Sequence, residues 1–318
     1  MGHAADAGDE CVACGARAVH DWRPVRTFDR RSARAEYPLR RCMACGTAVT
    51  GQRASGEAER LHSGGSYAHP PPAVDRLLEP LRGLGDRALL RAIGPLPRGT
   101  AVLDLGAGDG RVLDLLQRRG CLVSGVEPFA PPARAAAAIR RATVEEAAVA
   151  PAAADVVLLW HVLEHLDDPG RAVAVAARAV RPGGRIVVSV PSIESLQSRL
   201  GRDRWFHLDV PRHAVHFSRP GLTRLLERCG LRVAAAGGVV VDQNLLGMTQ
   251  TLLNLVTTER NVAFRALKGD RAGVPRRDLV VSVLAAPLAS VAGLLAESIA
   301  DAAGRPGAIV VHAVREST

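Results

Sequence analysis

Ala101-Val-Leu-Asp-Leu-Gly-Ala-Gly-Asp-Gly110 is the stretch that decides the fold. An apolar run of β type carries Asp104 near its end, and Gly106, Gly108 and Gly110 then fall at alternate positions. Glycines there let the backbone turn sharply and pass close to a ligand. A helix read from about Arg111 to Arg119 points its free N–H groups back at the same spot. The pattern is a nucleotide-type pocket at the carboxyl end of a first strand. It departs from the dinucleotide fingerprint, in which the third glycine follows the second by three positions.

Working outward, Cys121-Leu-Val-Ser-Gly-Val126 reads as a second strand ending at Glu127, where a carboxylate can accept hydrogen bonds from ribose hydroxyls. Ala154-Asp-Val-Val-Leu-Leu-Trp160 reads as a buried parallel strand leading into His161-Val-Leu-Glu-His-Leu-Asp-Asp-Pro169. A helix from about Gly170 to Val180 and the run Arg181-Pro-Gly-Gly-Arg-Ile-Val-Val-Ser-Val190 follow. These pieces, in this order, resemble the successive motifs of the class I S-adenosylmethionine-dependent methyltransferases over roughly residues 100–236, with a last strand at Ala308–Val314. The resemblance implies an α/β, Rossmann-like sheet, mostly parallel with an antiparallel last strand. It implies S-adenosylmethionine contacts at Asp104, Gly106, Gly108, Gly110 and Glu127, with Trp160 and His161 bordering the methionine end. The Ala142–Glu146 segment occupies the adenine position.

The N-terminus carries Cys11-Val-Ala-Cys14-Gly and Cys42-Met-Ala-Cys45-Gly. Each turn aims two thiolates at one point, and the glycine after the second cysteine permits a tight knuckle. Two knuckles complete the four-sulfur tetrahedron of a structural zinc site. The separation is longer than the usual 15–20 residues for such pairs, so a hairpin within Val25–Arg40 is expected to bring them together. The module resembles the zinc-binding part of some sugar C-methyltransferases, and of methyltransferases in cell-surface-glycan and natural-product pathways. Cys121 and Cys229 read as small buried hydrophobes.

Three regions follow: 1–66 as zinc module and linker, 67–236 with 307–318 as the S-adenosylmethionine domain, and 237–306 as a helical insertion before the last strand. Residues 51–72 read as linker, with Tyr67 placed to cover the cofactor. Val74, Leu77, Leu78, Leu81, Leu84, Leu89, Leu90 and Ile93 keep helical spacing, and Gly83 and Gly85 are expected to divide them into two helices. After the fifth strand, 191–218 gathers Trp205, Phe206 and Phe217 with His207, His213 and His216, in a chain only 3% aromatic. It lies where open α/β sheets bind ligands and resembles a signature of one methyltransferase subgroup. His213, oriented by Asp209, and His165 are the candidate bases, since histidine titrates near neutral pH. Glu164, His165 and Asp168 form a further candidate cation set.

In the insertion, Leu279–Ala296 carries no charge over 18 residues, just the length of a membrane span. Pro287 is expected to interrupt it. Val280, Leu284, Leu288, Val291 and Leu295 lie on one side, and Ser282, Ala286, Ala289, Gly293 and Ala296 on the other. That pattern suits a helix packed on both faces. Dimerisation or peripheral membrane contact through 279–296, after a basic cluster at Arg265, Lys268, Arg271, Arg276 and Arg277, are the alternatives.

The net charge is +9, but the cations are almost all arginine, dispersed and without a basic tail. This disfavours nucleic acid as partner. Met1–Glu10 lacks the charged start and apolar core of a secretory leader. The cytoplasm, or the inner face of the membrane, is the expected location. Methyl transfer to a small molecule, a hydroxyl of a sugar or biosynthetic intermediate, is the leading reading. The alternatives are an RNA methyltransferase gripping its substrate with the zinc module, a sugar C-methyltransferase, and a docking subunit without turnover.

Overall fold

A computed structural model describes residues 10–54, 57–62, 72–129, 138–237 and 241–316. Tyr67 lies outside the described residues, as do the side chains of Val74, Leu77, Leu78 and Leu81. The chain opens with β1 (Val19–Arg26), β2 (Glu36–Cys42) and β3 (Ala48–Thr50), then α1 (Glu57–His62) and α2 (Pro72–Ile93). The nucleotide-type half follows as β4 (Ala101–Leu105), α3 (Arg111–Arg118), β5 (Leu122–Val126), β6 (Ala138–Arg140) and β7 (Ala154–Trp160). Next come α4 (Pro169–Ala179), β8 (Val180–Pro191), α5 (Leu196–Gly201), β9 (Val215–His216), α6 (Arg219–Arg228) and β10 (Arg232–Gly237). The insertion is α7 (Val241–Val256), α8 (Val262–Leu267) and α9 (Arg276–Ala302), and β11 (Ala308–Val314) closes the sheet.

Among the described residues the strands form two sheets. The larger has the order β10-β11-β8-β7-β4-β5-β6. The pairs from β8 through β6 are parallel, and β11 runs antiparallel to both β8 and β10. This is the class I methyltransferase arrangement that the resemblance implies. Strand order reverses between β4 and β7, and ligands of open α/β sheets sit beyond the carboxyl ends at such a point. The inner strands read Val-Val-Leu-Leu or Ile-Val-Val because both faces are covered. Leu103, Leu105, Val157 and Leu159 face one apolar cluster, while Val102, Val156 and Leu158 face another with Leu89 and Ile93 of α2.

Two sequence expectations about helix breaks are corrected. α2 runs unbroken through Gly83 and Gly85. Each helical glycine costs about 1 kcal/mol, and a continuous helix avoids nucleating a second one. α9 likewise runs through Pro287. The proline lies on the exposed side, where solvent can satisfy the carbonyl it leaves without a donor.

The small sheet has the order β1-β2-β3-β9. The expected hairpin is present as β1 against β2. Its fourth strand, β9, comes from the 191–218 segment far along the chain. The cysteine-bearing region and the sequence-predicted substrate segment are therefore built as one sheet.

The expectation that α9 packs on both faces is also corrected. Ser282, Ala289 and Gly293 are buried, and Gly293 lies against Met248 and Thr249 of α7. The large residues face outward, with Leu284 and Leu288 each 75% exposed. The helix is long and apolar enough to cross a membrane by composition, with 17% of its apolar window buried.

Candidate active site and four-cysteine centre

The glycine loop after β4 is held by main-chain bonds. Gly106 N and Ala107 N both donate to Val126 O, at 2.8 and 3.0 Å. Gly106 has φ +86°, and a Cβ there would lie 2.3 Å from Val162 Cγ2, so both conformation and space demand glycine. Gly108 and Gly110 are also left-handed, at φ +54° and +82°. The Glu127 carboxylate closes the loop. Its Oε2 accepts from Gly108 N and its Oε1 from Phe129 N, each at 3.0 Å.

Asp104 lies beneath this loop, buried, and its Oδ1 has no hydrogen-bond partner among the described residues. Burial, and then the neighbouring Glu127 carboxylate, push its carboxyl up to about 7. A group in this state favours a bound cation or hydroxyl donors. The sequence-predicted set Asp104, Gly106, Gly108, Gly110 and Glu127 is thus brought together at the carboxyl ends of β4 and β5.

Trp160 and His161 end β7. His161 adopts φ +55°, and its N–H donates to Ser189 O at 2.9 Å. Its Nδ1 lies 3.0 Å from Glu164 Oε1 and its Nε2 3.3 Å from Ser189 Oγ. A carboxylate only accepts, so Nδ1 carries the proton. Glu164 is 1% exposed, yet its acidity is retained. Burial opposes ionisation, but the bond from His161 and the fields of His161, His165 and His213 outweigh it and hold the carboxyl down at about 2.

His165 and His213 meet edge to face with centroids 4.7 Å apart. Asp209, expected to orient His213, accepts from His213 N through its main-chain oxygen at 2.9 Å. Its carboxylate is taken by Arg212, with Nε on Oδ2 at 3.0 Å and Nη2 on Oδ1 at 2.6 Å. His213 is held instead through Nδ1, which donates to His207 O at 2.7 Å. Its other nitrogen, Nε2, is left as the basic position. Donor atoms of Glu164, His165 and His213 lie within 4.8 Å of one another. This replaces the cation set expected from sequence. Asp168 instead caps α4, accepting from Arg171 N at 3.1 Å.

Residues distant in sequence lock this arrangement. Thr50 Oγ1 donates to His213 O at 2.7 Å, Thr50 N to Ala214 O at 2.8 Å, and Ala214 N to Glu164 O at 2.7 Å. Arg212, fully buried, also reaches Asp29 Oδ2 at 2.6 Å. One cation thereby joins the N-terminal sheet to the segment that carries His213. The opposite wall comes from the insertion: Phe206 N donates to Thr251 Oγ1 at 3.1 Å, and Arg204 Nη1 to Asn254 O at 2.6 Å. Sequence reading missed Thr50, Asn254 and the role of Arg212, and nothing local marks them.

In the four-cysteine centre, Cys11 Sγ lies 3.7 Å from Cys45 Sγ and Cys14 Sγ 3.6 Å from Cys42 Sγ. All four sulfurs fall within 4.8 Å of one another. A tetrahedron with zinc–sulfur bonds of 2.3 Å has sulfur–sulfur edges of about 3.8 Å, so the donor set fits that ion. Both knuckles share one geometry. Gly15 N donates to Cys11 O and Gly46 N to Cys42 O, each at 2.8 Å, with the glycines at φ +77° and +84°.

A family model described as a methyltransferase domain matches residues 77–236, half of the 318-residue chain. A ubiquinone biosynthesis O-methyltransferase of Sodalis glossinidius is 38% identical over 102 residues, covering 29% of this chain and 41% of that protein. The protein of the same name from Aeromonas salmonicida is 33% identical over 159 residues, covering 44% and 66%. The chain thus spans about two fifths of the length of the first of these relatives. Among solved structures, a chain in the complex between the Haloferax volcanii Trm112 methyltransferase activator and a methyltransferase aligns with a TM-score of 0.48 and 17% identity, over 74% of this chain and 93% of that one.

Proposed function

This chain belongs to the methyltransferase-domain family, and from that premise we propose that it transfers the methyl group of S-adenosylmethionine to a hydroxyl of a small molecule, a sugar or biosynthetic intermediate. The observation that carries the reading is the pairing of Asp104 and Glu127 around the glycine loop. One carboxylate oxygen is buried and unpaired beside main-chain groups that only glycine can present.

S-adenosylmethionine supplies an activated methyl on a sulfonium, together with an ammonium group and ribose hydroxyls. Asp104 would hold a cationic or hydroxyl donor of the bound cofactor, and Glu127 would accept from its ribose hydroxyls. Trp160 and His161 would border its methionine end. Alignment and exclusion of water supply most of the acceleration, because the leaving group is already good.

On the acceptor side, His213 Nε2 takes the hydroxyl proton. His207 O fixes the tautomer, and the Glu164 charge stabilises the imidazolium that forms. His165, at the ring edge, is the second candidate for that role. Asp209 acts through Arg212 on the backbone of the same segment, as a positioning residue. Zinc in the four-cysteine centre is structural, because four thiolates leave no open position. It stiffens the sheet that ends in β9.

The test is transfer of labelled methyl from S-adenosylmethionine to pathway extracts and sugars, with His213→Ala alongside. The expected outcome is transfer by the wild type, reduced about 100-fold or more by the substitution, with cofactor affinity retained. Transfer unaffected by His213→Ala and His165→Ala overturns the assignment of the base. Absence of any acceptor favours the docking-subunit alternative.

A further inference from the structure

A cleft of about 270 Å3 opens between the N-terminal hairpin and the chain after β8, lined by Trp22, Arg23, Arg41, Glu194, Arg199 and Arg202 together with Ile193 and Ser198. Four guanidiniums therefore face one carboxylate. That carboxylate is engaged elsewhere, since Glu194 Oε2 accepts from Arg219 N at 3.1 Å. Asp203, the acid next in line, is paired with Arg260 at 3.9 Å.

The cations are held in place rather than left to spread. Trp22 lies between them, with Arg23 Cζ 4.2 Å and Arg41 Cζ 5.1 Å from its ring centroid. Stacking of this kind fixes a guanidinium plane while leaving its edge donors free. Arg41 Nε donates to Gly46 O at 3.2 Å, which sets its direction from the second cysteine knuckle. Arg23 Nε is buried without a hydrogen-bond partner among the described residues. Burial lowers the Arg23 pKa; Asp203 opposes the change, while Arg202 and Arg41 add to it. Arg202 sits at φ +50°, a backbone region that L residues rarely adopt. Convergent guanidiniums, an unpaired buried donor and local strain together describe an anion site.

We infer that this cleft holds the diphosphate of a diphosphate-ester acceptor. The excess of positive charge matches a group carrying two or three negative charges, and guanidinium forks match phosphate oxygens in pairs. A cleft of about 270 Å3 has room for a diphosphate rather than for a length of polynucleotide backbone. It is lined by the start of the same segment, residues 191–218, that carries His213 near its end. Substrate anchoring and proton removal then belong to one stretch of chain. The inference rests on the methyl-transfer reading for the identity of the ester as acceptor; the anion site itself does not.

Calorimetric titration of the full chain with inorganic pyrophosphate, uridine diphosphate and, in the same samples, S-adenosylmethionine tests it. The expected result is saturable binding of both phosphates, with the ester tighter. Arg23→Gln with Arg202→Gln should weaken both at least tenfold and leave S-adenosylmethionine affinity unchanged. The exposed Arg199→Gln, which disturbs no buried contact, should weaken them about threefold and guards against a folding artefact. No saturable binding, or binding indifferent to these substitutions, overturns the inference. Pyrophosphate binding as tightly as the ester, or displacement of the ester by a short RNA, assigns the site to a different ligand and overturns it equally. Failure of S-adenosylmethionine alone to bind contradicts the methyl-transfer reading and leaves the anion site standing.

Discussion

Asp104 is the residue whose state depends most on the ligand. Without one, burial and the Glu127 carboxylate raise its pKa to about 7, well above the unfolded value of about 3.9. The folded protein then keeps a proton between about pH 4 and pH 7 that the unfolded chain has lost, so stability falls as pH rises through that window. Asp104→Asn, which stays neutral, should make the ligand-free protein more stable at pH 8 by on the order of 2 kcal/mol. Urea denaturation at pH 5 and pH 8 measures this. The ionised form is the one that favours a sulfonium or ammonium, so cofactor affinity should rise from pH 6 to pH 8, with proton release seen as a buffer-dependent binding enthalpy. Affinity independent of pH would remove Asp104 from the cofactor pocket. This residue was legible in the sequence because its neighbours are local: strand, acid and glycines occur within ten positions. Thr50 and Arg212 were not legible, because each acts on partners more than a hundred positions away.

At the scale of elements, the 191–218 segment is a loop made rigid from outside. Its histidines were readable as a cluster in a chain poor in aromatics, but the order among them was not. Asp209 stands four residues before His213, and that spacing suggests a side-chain contact. A nearer guanidinium, Arg212, takes the carboxylate instead. Arg212 is fully buried between Asp29 and Asp209. Arg212→Met removes the guanidinium that the buried Asp209 carboxylate shares with Asp29, which keeps Arg31, and should cost about 3–5 kcal/mol at pH 7. The loss should shrink below pH 4 as the carboxylates protonate. Denaturation midpoints across pH check this; a loss under about 1 kcal/mol at neutral pH would mean that Arg212 does not join the two elements. α9 illustrates another limit of sequence reading. Its uncharged run shows large residues on one side and small on the other, but either face can be the buried one. The outcome follows from α7, where Met248 and Thr249 pack closely on Gly293, so that a Cβ there would lie 3.2 Å from Thr249 Oγ1.

For the whole molecule, the parallel strands β4, β5, β7 and β8 were readable because each is an apolar run ending in a turn with its own signature, whereas the three-residue β6 leaves no such run. The union of the N-terminal sheet with β9 was not, since a two-residue strand leaves no periodic trace. That union ties the four-cysteine centre to the segment that carries His213: Ser218 Oγ donates to Cys45 O at 2.5 Å, and Thr50 Oγ1 donates to His213 O. The proposed cofactor residues Asp104 and Glu127 lie at the ends of β4 and β5, in the other sheet, away from those contacts. The most direct measurement of the central claim is calorimetric titration of the intact protein with S-adenosylmethionine and its demethylated product, beside Glu127→Ala. Binding of both, weakened at least tenfold by the substitution, is the predicted result. A folded, zinc-loaded protein that binds neither, or that binds them equally well without Glu127, would contradict the account.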